Sequence, residues 1–280
     1  MTFAELKQWA TAELKHSGCE SADFETRCLL EDLAGFADSH LNKSVAPETV
    51  SRIQEAVNKR IQGFPLQYIL GEWEFLNLRL KVGEGVLIPR PDTEILCETA
   101  ANWINTNACS SARVLDLCAG SGCVGLGIAS LCKAVDVTLV ELSDKALPYL
   151  LENIRRYSRL CANAVVADVL QGYHQFEESR YDVLVSNPPY IPSSDIAGLM
   201  REVQHEPRMA LDGGDGYVFY RTISEKWLKV LKPGGLCAVE IGIGQAETVK
   251  TLFTENGLTD ICVYRDYGDI ERVVTGIKAV

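Results

Sequence analysis

The pattern of apolar and polar positions along the chain begins with a helical repeat. Over residues 1–70 the apolar side chains recur every three or four positions, which is typical of amphipathic helices. Thr2 and Glu5 have the spacing of a capping box ahead of the first helix. The apolar face of that helix comprises Phe3, Leu6, Ala10 and Leu14. A later helix is predicted over residues 47–63, with Val50, Ile53, Val57 and Ile61 as its apolar stripe. We therefore predict a small all-helical domain over residues 1–70.

The pattern changes to a partial alternation over residues 75–82, which indicates a strand. A glycine-containing turn follows at 83–85, and a second apolar stretch begins at Val86. We interpret residues 71–91 as a β-hairpin that links two domains. Asp92 and Thr93 follow a proline-rich stop and are candidate caps of a helix that runs to about Trp103.

From Arg113 onward, short apolar runs alternate with helical patterns. The predicted strands cover residues 113–117, 136–140, 164–167, 181–186 and 236–241, and the predicted helices cover 123–132, 144–157 and 217–231. This alternation is typical of a mostly parallel sheet covered by helices on both faces. The last two strands, 259–264 and 272–277, are separated by a short loop and are expected to pair antiparallel at the end of the sheet. The fold class is thus α/β, with the second domain over residues 92–280.

The bulk composition narrows the class of protein. The chain has 280 residues, 47% of them hydrophobic and 23% charged, as in ordinary globular proteins. No apolar run approaches 18 residues, and the start lacks the pattern of a signal peptide, so we expect a cytoplasmic protein with no membrane partner. The net charge of −11 argues against direct binding of nucleic acid and favours a basic protein partner.

The ten cysteines form no C-x-x-C pair, and the four histidines complete no zinc spacing. We expect reduced, mostly buried thiols and no metal site.

A glycine turn follows the first strand of the predicted sheet, at Gly120-Ser121-Gly122. Glycines there allow the backbone to approach a nucleotide-type cofactor at the carboxyl end of the strand. The spacing to Gly125 also matches a dinucleotide fingerprint, so NAD is an alternative, as is a packing turn with no ligand. However, Asp116 lies just before the turn, where a carboxylate repels a pyrophosphate and attracts the ammonium and sulfonium of S-adenosylmethionine.

Two further strand ends carry candidate cofactor contacts. Glu141 ends the second strand and can accept hydrogen bonds from ribose hydroxyls. Asp168 follows the third strand and can bind an adenine amino group, with Val169 against the ring. With the next motif, these residues favour S-adenosylmethionine as the cofactor.

The fourth strand ends at Asn187-Pro188-Pro189-Tyr190, a tetrad whose two prolines cannot donate to a sheet. The Asn187 side-chain oxygen and the Pro188 carbonyl can accept the two hydrogens of a planar –NH2 group. Tyr190 can stack on the plane of that group. The tetrad therefore predicts methyl transfer onto a planar nitrogen, through alignment and without an evident general base.

The tetrad, the glycine turn and Val140-Glu141 together resemble the class I S-adenosylmethionine-dependent methyltransferases, which have a Rossmann-like sheet. A narrower resemblance, over nearly the whole chain, is to the bacterial peptide chain release factor glutamine N5-methyltransferase family. It is carried by Pro65-Leu66-Gln67-Tyr68-Ile69-Leu70-Gly71, Phe75, Val86-Leu87-Ile88-Pro89-Arg90-Pro91-Asp92-Thr93-Glu94, Glu206-Pro207-Arg208-Met209-Ala210-Leu211-Asp212-Gly213-Gly214-Asp215-Gly216 and Asp266-Tyr267-Gly268-Asp269-Ile270-Glu271-Arg272-Val273.

The resemblance implies a protein substrate, the glutamine of the Gly-Gly-Gln motif of release factors. It implies that Asn187, Pro188, Pro189 and Tyr190 bind this glutamine, and we place Arg90 in the same site. It implies that the helical domain helps to dock the factor, and we expect the enzyme to act as a monomer. The cofactor pocket it implies is lined by Cys118, Ala119, Gly120, Ser121, Gly122, Glu141, Val169 and Asn187.

Two residues depart from the family pattern. Cys118 stands where glycine is commonest, so it must tolerate the backbone angle of that position, with weaker packing against the cofactor. Glu141 replaces a more usual aspartate and adds a methylene, so we expect the ribose to be shifted slightly.

Three other functions share parts of these motifs. A related enzyme methylates a glutamine of a large-subunit ribosomal protein, and the context of Arg90 and Gly213 argues modestly against it. A DNA adenine-N6 methyltransferase uses the same tetrad on a flipped base, but the acidic charge of the chain disfavours DNA. A non-catalytic binding subunit would not require so complete a cofactor turn.

Overall fold

A computed structural model describes residues 1–107 and 111–280 of the chain. It divides into two compact units, Met1–Glu72 with Met200–His205, and Trp73–Leu199 with Glu206–Val280. The division at residue 72 lies close to the domain end that we predict at residue 70. The return of the chain to the first unit at residues 200–205 has no signal in the sequence, and a docking role for this unit stays a prediction.

The first unit contains four α-helices: α1 (Phe3–His16), α2 (Ala22–Ala34), α3 (Pro47–Ile61) and α4 (Leu66–Leu70). The predicted capping box is present, since the Glu5 amide donates to Thr2 Oγ1 and the Thr2 amide donates to the Glu5 carboxylate. The predicted face of α1 is buried in full. On α3 the buried residues are Ile53, Ala56 and Val57, whereas the predicted Val50 and Ile61 are only half-buried.

The short segment 200–205 joins the helical unit through a buried guanidinium. Arg60 forms ion pairs with Glu25 of α2 and with Glu202, at 2.6 Å in the second case. The ring of His205 lies against Phe64, with ring centroids 5.4 Å apart. Because a buried charge is costly unless it is paired, these carboxylates stabilise both the helices and the segment.

The predicted hairpin is present but its turn lies elsewhere. Strand β1 (Glu72–Phe75) pairs with β2 (Leu78–Lys81), so the chain reverses at Leu76-Asn77 rather than at residues 83–85. Leu76 has a φ of +52°, which allows this tight reversal. The prediction of a returning strand at 86–88 was wrong, since Val86 and Ile88 are buried in a segment without strand structure.

The second unit contains a seven-stranded sheet in the order β5-β4-β3-β6-β7-β9-β8. Its strands are β3 (Ala112–Leu117), β4 (Val135–Glu141), β5 (Cys161–Val166), β6 (Tyr181–Ser186), β7 (Leu231–Glu240), β8 (Leu258–Arg265) and β9 (Glu271–Lys278). Strands β3 to β7 run parallel, and β9 is antiparallel to both of its neighbours. The predicted α/β class, with a mostly parallel sheet and an antiparallel last pair, is confirmed.

Helices cover both faces of the sheet. They are α5 (Glu94–Asn107), α6 (Cys123–Leu131), α7 (Leu147–Arg156), α8 (Arg208–Leu211), α9 (Val218–Lys226) and α10 (Ala246–Glu255). One apolar core packs α5, α6 and α7 against the sheet, and the other packs α9 and α10 with the buried Trp227. Strand β7 begins at Leu231, five residues before the predicted start, and a bulge shifts its register with β6 between Leu231 and Leu236.

The order of the strands determines where in the sheet a ligand site is expected. From β3 the chain proceeds outward to β4 and β5, and then returns to β6 on the other side of β3. The carboxyl ends of β3 and β6 therefore lie side by side at the switch point, where open α/β sheets bind ligands. Within the described residues no helix has both the length and the apolarity needed to cross a membrane.

Candidate active site

A cavity of about 620 Å³ opens at the carboxyl ends of β3, β4, β5 and β6. This volume is within the range of small-molecule sites, roughly 300–1,000 Å³. The predicted site residues on its wall are Arg90, Cys118, Ala119, Gly120, Ser121, Glu141, Asp168, Val169, Asn187 and Pro189. The predicted Asp116, Gly122, Pro188 and Tyr190 do not lie on the wall.

The turn after β3 is built from residues with left-handed backbone angles. Gly120 and Gly122 have φ values of +56° and +83°, and Cys118 has a φ of +62°. The requirement that we infer for Cys118 from the sequence is thus present in the structure. A side chain in this region costs roughly 1–2 kcal/mol, so Cys118 holds the turn under strain.

Replacing Cys118 tests that strain. We expect Cys118→Gly to be more stable than Cys118→Ala by about 1 kcal/mol, because both remove the sulfur and only glycine relieves the left-handed angle. Urea denaturation of the two variants measures the difference. Equal free energies of unfolding would show that the turn carries no strain at this residue.

Asp116 lies beneath the turn rather than in the cavity. Its side chain is fully buried, and Oδ2 accepts a hydrogen bond of 2.8 Å from the Gly125 amide at the start of α6. Oδ1 is buried without a hydrogen-bond partner among the described residues. The side chain points toward α6 because β3 alternates its faces, so direct contact with a ligand is not what this geometry supports. Asp116 instead fixes the first turn of α6 against β3.

The burial of Asp116 makes stability depend on pH. Burial raises the pKa of this carboxyl to about 8, against the lowering effect of the Gly125 amide. The native state therefore keeps a proton that the unfolded chain releases near pH 4, and stability falls as the pH rises between these values. Asp116→Asn cannot ionise at this position. We therefore expect its free energy of unfolding to fall with pH less steeply than that of the wild type, by up to about 1.4 kcal/mol per pH unit.

Urea denaturation at several pH values between about 5 and 8.5 measures this slope. The exposed Asp144→Asn is the matched control and should keep the dependence of the wild type. Parallel stability curves for Asp116→Asn and the wild type would contradict the argument.

Two carboxylates of the cavity wall are oriented by backbone amides. Glu141 Oε2 accepts from Gly120 at 2.7 Å, and Oε1 accepts from Leu142 and Ser143. Asp168 Oδ1 accepts from the Leu170 amide at 2.8 Å. These bonds hold both acids at the wall with lone pairs remaining for a ligand, next to the apolar Val169.

The orientation of the Asn187 side chain is set by Thr93, which the sequence indicates only as a candidate helix cap. Its Nδ2 donates to Thr93 Oγ1 at 3.1 Å, and Thr93 is 1% exposed. The side-chain oxygen of Asn187 is therefore the end that remains for a ligand in the cavity. This is the acceptor that the tetrad motif predicts.

The other tetrad residues contact side chains that do not line the cavity. The Gln245 side chain donates to the carbonyls of Tyr190 and Gly216, each at 3.1 Å. The Tyr190 hydroxyl lies 3.4 Å from Glu240 Oε1, and the Pro188 carbonyl accepts no hydrogen bond from the described residues. The Pro188 carbonyl thus keeps its accepting capacity, while the ring of Tyr190 lies off the cavity wall. Their roles toward a substrate stay predictions.

Arg90 reaches the wall as half of an ion pair whose carboxylate is buried. Its guanidinium binds Glu206, whose other oxygen accepts from the Ile88 amide at 3.0 Å. Burial raises the pKa of Glu206, and Arg90 opposes that effect. The pair holds the segment before α5 against the segment before α8.

The segment 207–216 closes the site beside the tetrad. The Ile191 amide donates to the Leu211 carbonyl, and the Gly213 amide donates to the Ile191 carbonyl at 2.8 Å. A Cβ built on Gly213 would lie 2.6 Å from the Pro189 carbonyl oxygen. Only glycine allows this close approach, so the segment fixes the position of the tetrad backbone.

Comparison with known proteins bears on this site. A family model described as "Conserved hypothetical protein 95" matches residues 66–233, and a "PrmC N-terminal domain" model matches residues 5–71. A release factor glutamine methyltransferase of Geobacter sulfurreducens is 38% identical over 98% of this chain and 96% of its own length. The chain belongs to the release factor glutamine methyltransferase family.

A second family member, from Thermodesulfovibrio yellowstonii, is 37% identical over 83% of each chain. Among solved structures, a T. thermophilus 16S rRNA N2 G1207 methyltransferase in complex with AdoMet and guanosine has a TM-score of 0.52. It is 20% identical and covers 74% of this chain and 49% of that chain, a likeness that concerns the fold. The chain is an S-adenosylmethionine-dependent methyltransferase, as its turn and tetrad predict.

The residues present fit this cofactor. The wall combines two carboxylates, Glu141 and Asp168, with apolar side chains and the close backbone of the glycine turn. Ser121 Oγ, in that turn, is buried with no partner among the described residues. Carboxylates, apolar surface and a hydroxyl without a hydrogen-bond partner suit a cationic nucleoside with ribose hydroxyls and an adenine ring.

The described part of the chain contains no cluster of three or more histidine, cysteine or acidic side chains able to hold a metal ion. Nine of its cysteines are free thiols there, and Cys109 lies outside the described residues.

Proposed function

We propose that this chain transfers a methyl group to the side-chain amide nitrogen of the glutamine in the Gly-Gly-Gln motif of peptide chain release factors. One observation carries the proposal: Asn187 lies on the cavity wall with its nitrogen bound to Thr93, while its oxygen accepts no hydrogen bond from the described residues. An acceptor at that point suits a primary carboxamide. The names of the family members supply the release factor as the protein that bears it.

The chemistry requires alignment of a weak nucleophile. An amide nitrogen is poorly nucleophilic because its lone pair is delocalised into the carbonyl. When bound, S-adenosylmethionine supplies an electrophilic methyl group on a sulfonium. Asn187 Oδ1 and the Pro188 carbonyl accept the two N–H hydrogens of the glutamine and so fix the plane of its amide. Alignment of this kind can lower a barrier by roughly 7–11 kcal/mol.

Proton removal needs no dedicated base in this scheme. The nitrogen becomes cationic once it is alkylated, and its proton is then acidic enough to leave to water. The two acceptors that orient the amide also stabilise the developing positive charge on its hydrogens.

The proposed substrate is tested by intact-mass and peptide analysis of a release factor incubated with this chain and S-adenosylmethionine. We expect one methyl group on the glutamine of Gly-Gly-Gln and none on a factor with that glutamine replaced by alanine. Equal labelling of both factors would overturn the assignment. A ribosomal protein and duplex DNA in parallel reactions separate the two rival substrates.

A further inference from the structure

The tetrad is part of the sheet at one end only. Ser186, which precedes it, pairs with Leu117 of β3 and with Val239 of β7. Strand β6 ends at that residue, and neither Pro188 nor Pro189 has an N–H group to donate. The position of the Pro188 carbonyl, one of the two acceptors in the proposed function, therefore depends on contacts made further along the chain.

One of those contacts comes from the buried side chain of Gln245, at the start of α10. Its Nε2 donates to the carbonyl oxygens of Tyr190 and Gly216, each at 3.1 Å. Its Oε1 accepts from the Gly242 amide at 2.8 Å, and the hydroxyl of Tyr220 lies 3.1 Å from the same oxygen. Gln245 is 7% exposed, so these protein groups take the place of water around its carboxamide.

The orientation of this carboxamide follows from its backbone partners. A backbone carbonyl can only accept and a backbone N–H can only donate. The nitrogen of Gln245 must therefore face Tyr190 and Gly216, and its oxygen must face Gly242. One of its two N–H hydrogens binds the tetrad and the other binds the segment 207–216. The side chain thus ties the carboxyl end of the tetrad to the segment that closes the site.

Two glycines leave room for this arrangement. A Cβ built on Gly242 would lie 3.0 Å from Gln245 Oε1 and 3.1 Å from Tyr190 Cδ2. A Cβ built on Gly216 would lie 3.2 Å from Gln245 Nε2 and 3.3 Å from the Tyr190 carbonyl oxygen. All four distances are shorter than ordinary van der Waals contact, so a side chain at either position would press on the carboxamide or on the tetrad.

We propose that Gln245 is a positioning residue for methyl transfer. It holds the Tyr190 carbonyl, and with it the Pro188 carbonyl two residues earlier, at the place where the substrate amide is aligned. Gln245 is not among the residues of the cavity wall, so it acts through the backbone of the tetrad. The inference rests on the proposed function, because it explains how the tetrad keeps its alignment beyond the end of the strand.

Replacing Gln245 by methionine tests the inference, because methionine has nearly the same length and donates no hydrogen bond. We expect the single-turnover rate of release factor methylation, at saturating factor and cofactor, to fall by about 10- to 100-fold, since a displacement near 1 Å can cost that much. The Kd for S-adenosylmethionine, measured by calorimetric titration, should stay within about two-fold of the wild type, because no residue of the cavity wall is changed.

Val249→Ala is the matched control for a loss of stability. Val249 is a fully buried residue of the same helix, and its truncation weakens the packing of α10 but leaves the Gln245 side chain in place. The melting temperature should fall in both variants, whereas the rate of Val249→Ala should stay within about three-fold of the wild type. Rates are compared at a temperature at which both variants are folded.

Gly242→Ala decides the question if Gln245→Met does not fold. It keeps every hydrogen-bonding group but brings a methyl group against Gln245 and the ring of Tyr190, and it should be about three- to ten-fold slower than the wild type. A wild-type rate in that variant would then overturn the inference. With a folded Gln245→Met, a loss of rate no greater than that of Val249→Ala, or a matching loss of cofactor affinity, would overturn it. Absence of methylation by the wild type would instead refute the proposed function.

Discussion

Replacing Asn187 by alanine should slow methyl transfer by at least about 100-fold, the scale seen when a key polar positioning group is lost. The variant lacks the acceptor that fixes one hydrogen of the substrate amide. Its affinity for S-adenosylmethionine should change little, because the candidate ribose and adenine contacts, Glu141 and Asp168, lie at other strand ends of the cavity wall. Single-turnover rates with a release factor, together with calorimetric titration of the cofactor, measure the two effects separately.

The control for this prediction is Asn163→Ala, which removes the same group from an exposed position on β5. It should transfer methyl groups at the wild-type rate. Unchanged turnover in Asn187→Ala would remove this residue from the mechanism. A parallel loss of cofactor affinity and of rate would instead make Asn187 a cofactor residue alone.

Replacing Gly213 by alanine should lower kcat by about 10- to 100-fold, since a displacement near 1 Å can cost that much. The added Cβ would lie 2.6 Å from the Pro189 carbonyl oxygen and 2.8 Å from the Tyr190 Cα. Both are backbone atoms, so the tetrad must move. The variant should also melt several degrees lower, because overpacking typically costs about 1–3 kcal/mol. Methylation kinetics and thermal denaturation provide the measurements.

Gly198→Ala is the matched substitution for this test. A Cβ at Gly198 would meet nothing within 4 Å, and its backbone angle is not left-handed. This variant should keep the rate and melting temperature of the wild type. If Gly213→Ala were as active as Gly198→Ala, the close approach of the 207–216 segment would have no part in positioning the tetrad.

The sequence predicts the strands of the sheet and the residues that follow them, because these depend on local patterns. Asn187 and Gly120 lie at strand ends that pair directly in the sheet, and parallel topology brings such ends together without further information. The left-handed angle at Cys118 was also predictable, because Cys118 occupies a position of the turn where glycine is commonest. The cofactor and the family follow from the same short motifs.

The supporting contacts were not predictable in this way. Thr93 and its partner Asn187 lie 94 positions apart along the chain, and no periodicity relates them. The burial of Asp116 beneath the turn had no signal, because the motif gives its distance from the turn but not which face of β3 it occupies. The hairpin turn was misplaced because Gly83 and Gly85 are stronger turn residues than Leu76-Asn77, where the chain reverses. A signal did exist for Glu240, which is an acidic residue at the end of an otherwise apolar strand.

The ion pairs of Arg60 have a consequence for dissecting the protein into fragments. A peptide that ends at residue 72 would contain Arg60 and Glu25 but would lack Glu202, which belongs to the same compact unit. Its guanidinium would lose one of two neutralising partners, and the excised helices would be less stable than they are in the intact polypeptide. Fragments for calorimetry or NMR should therefore be supplied with residues 200–205 as a separate peptide, whose binding would itself report the strength of this attachment.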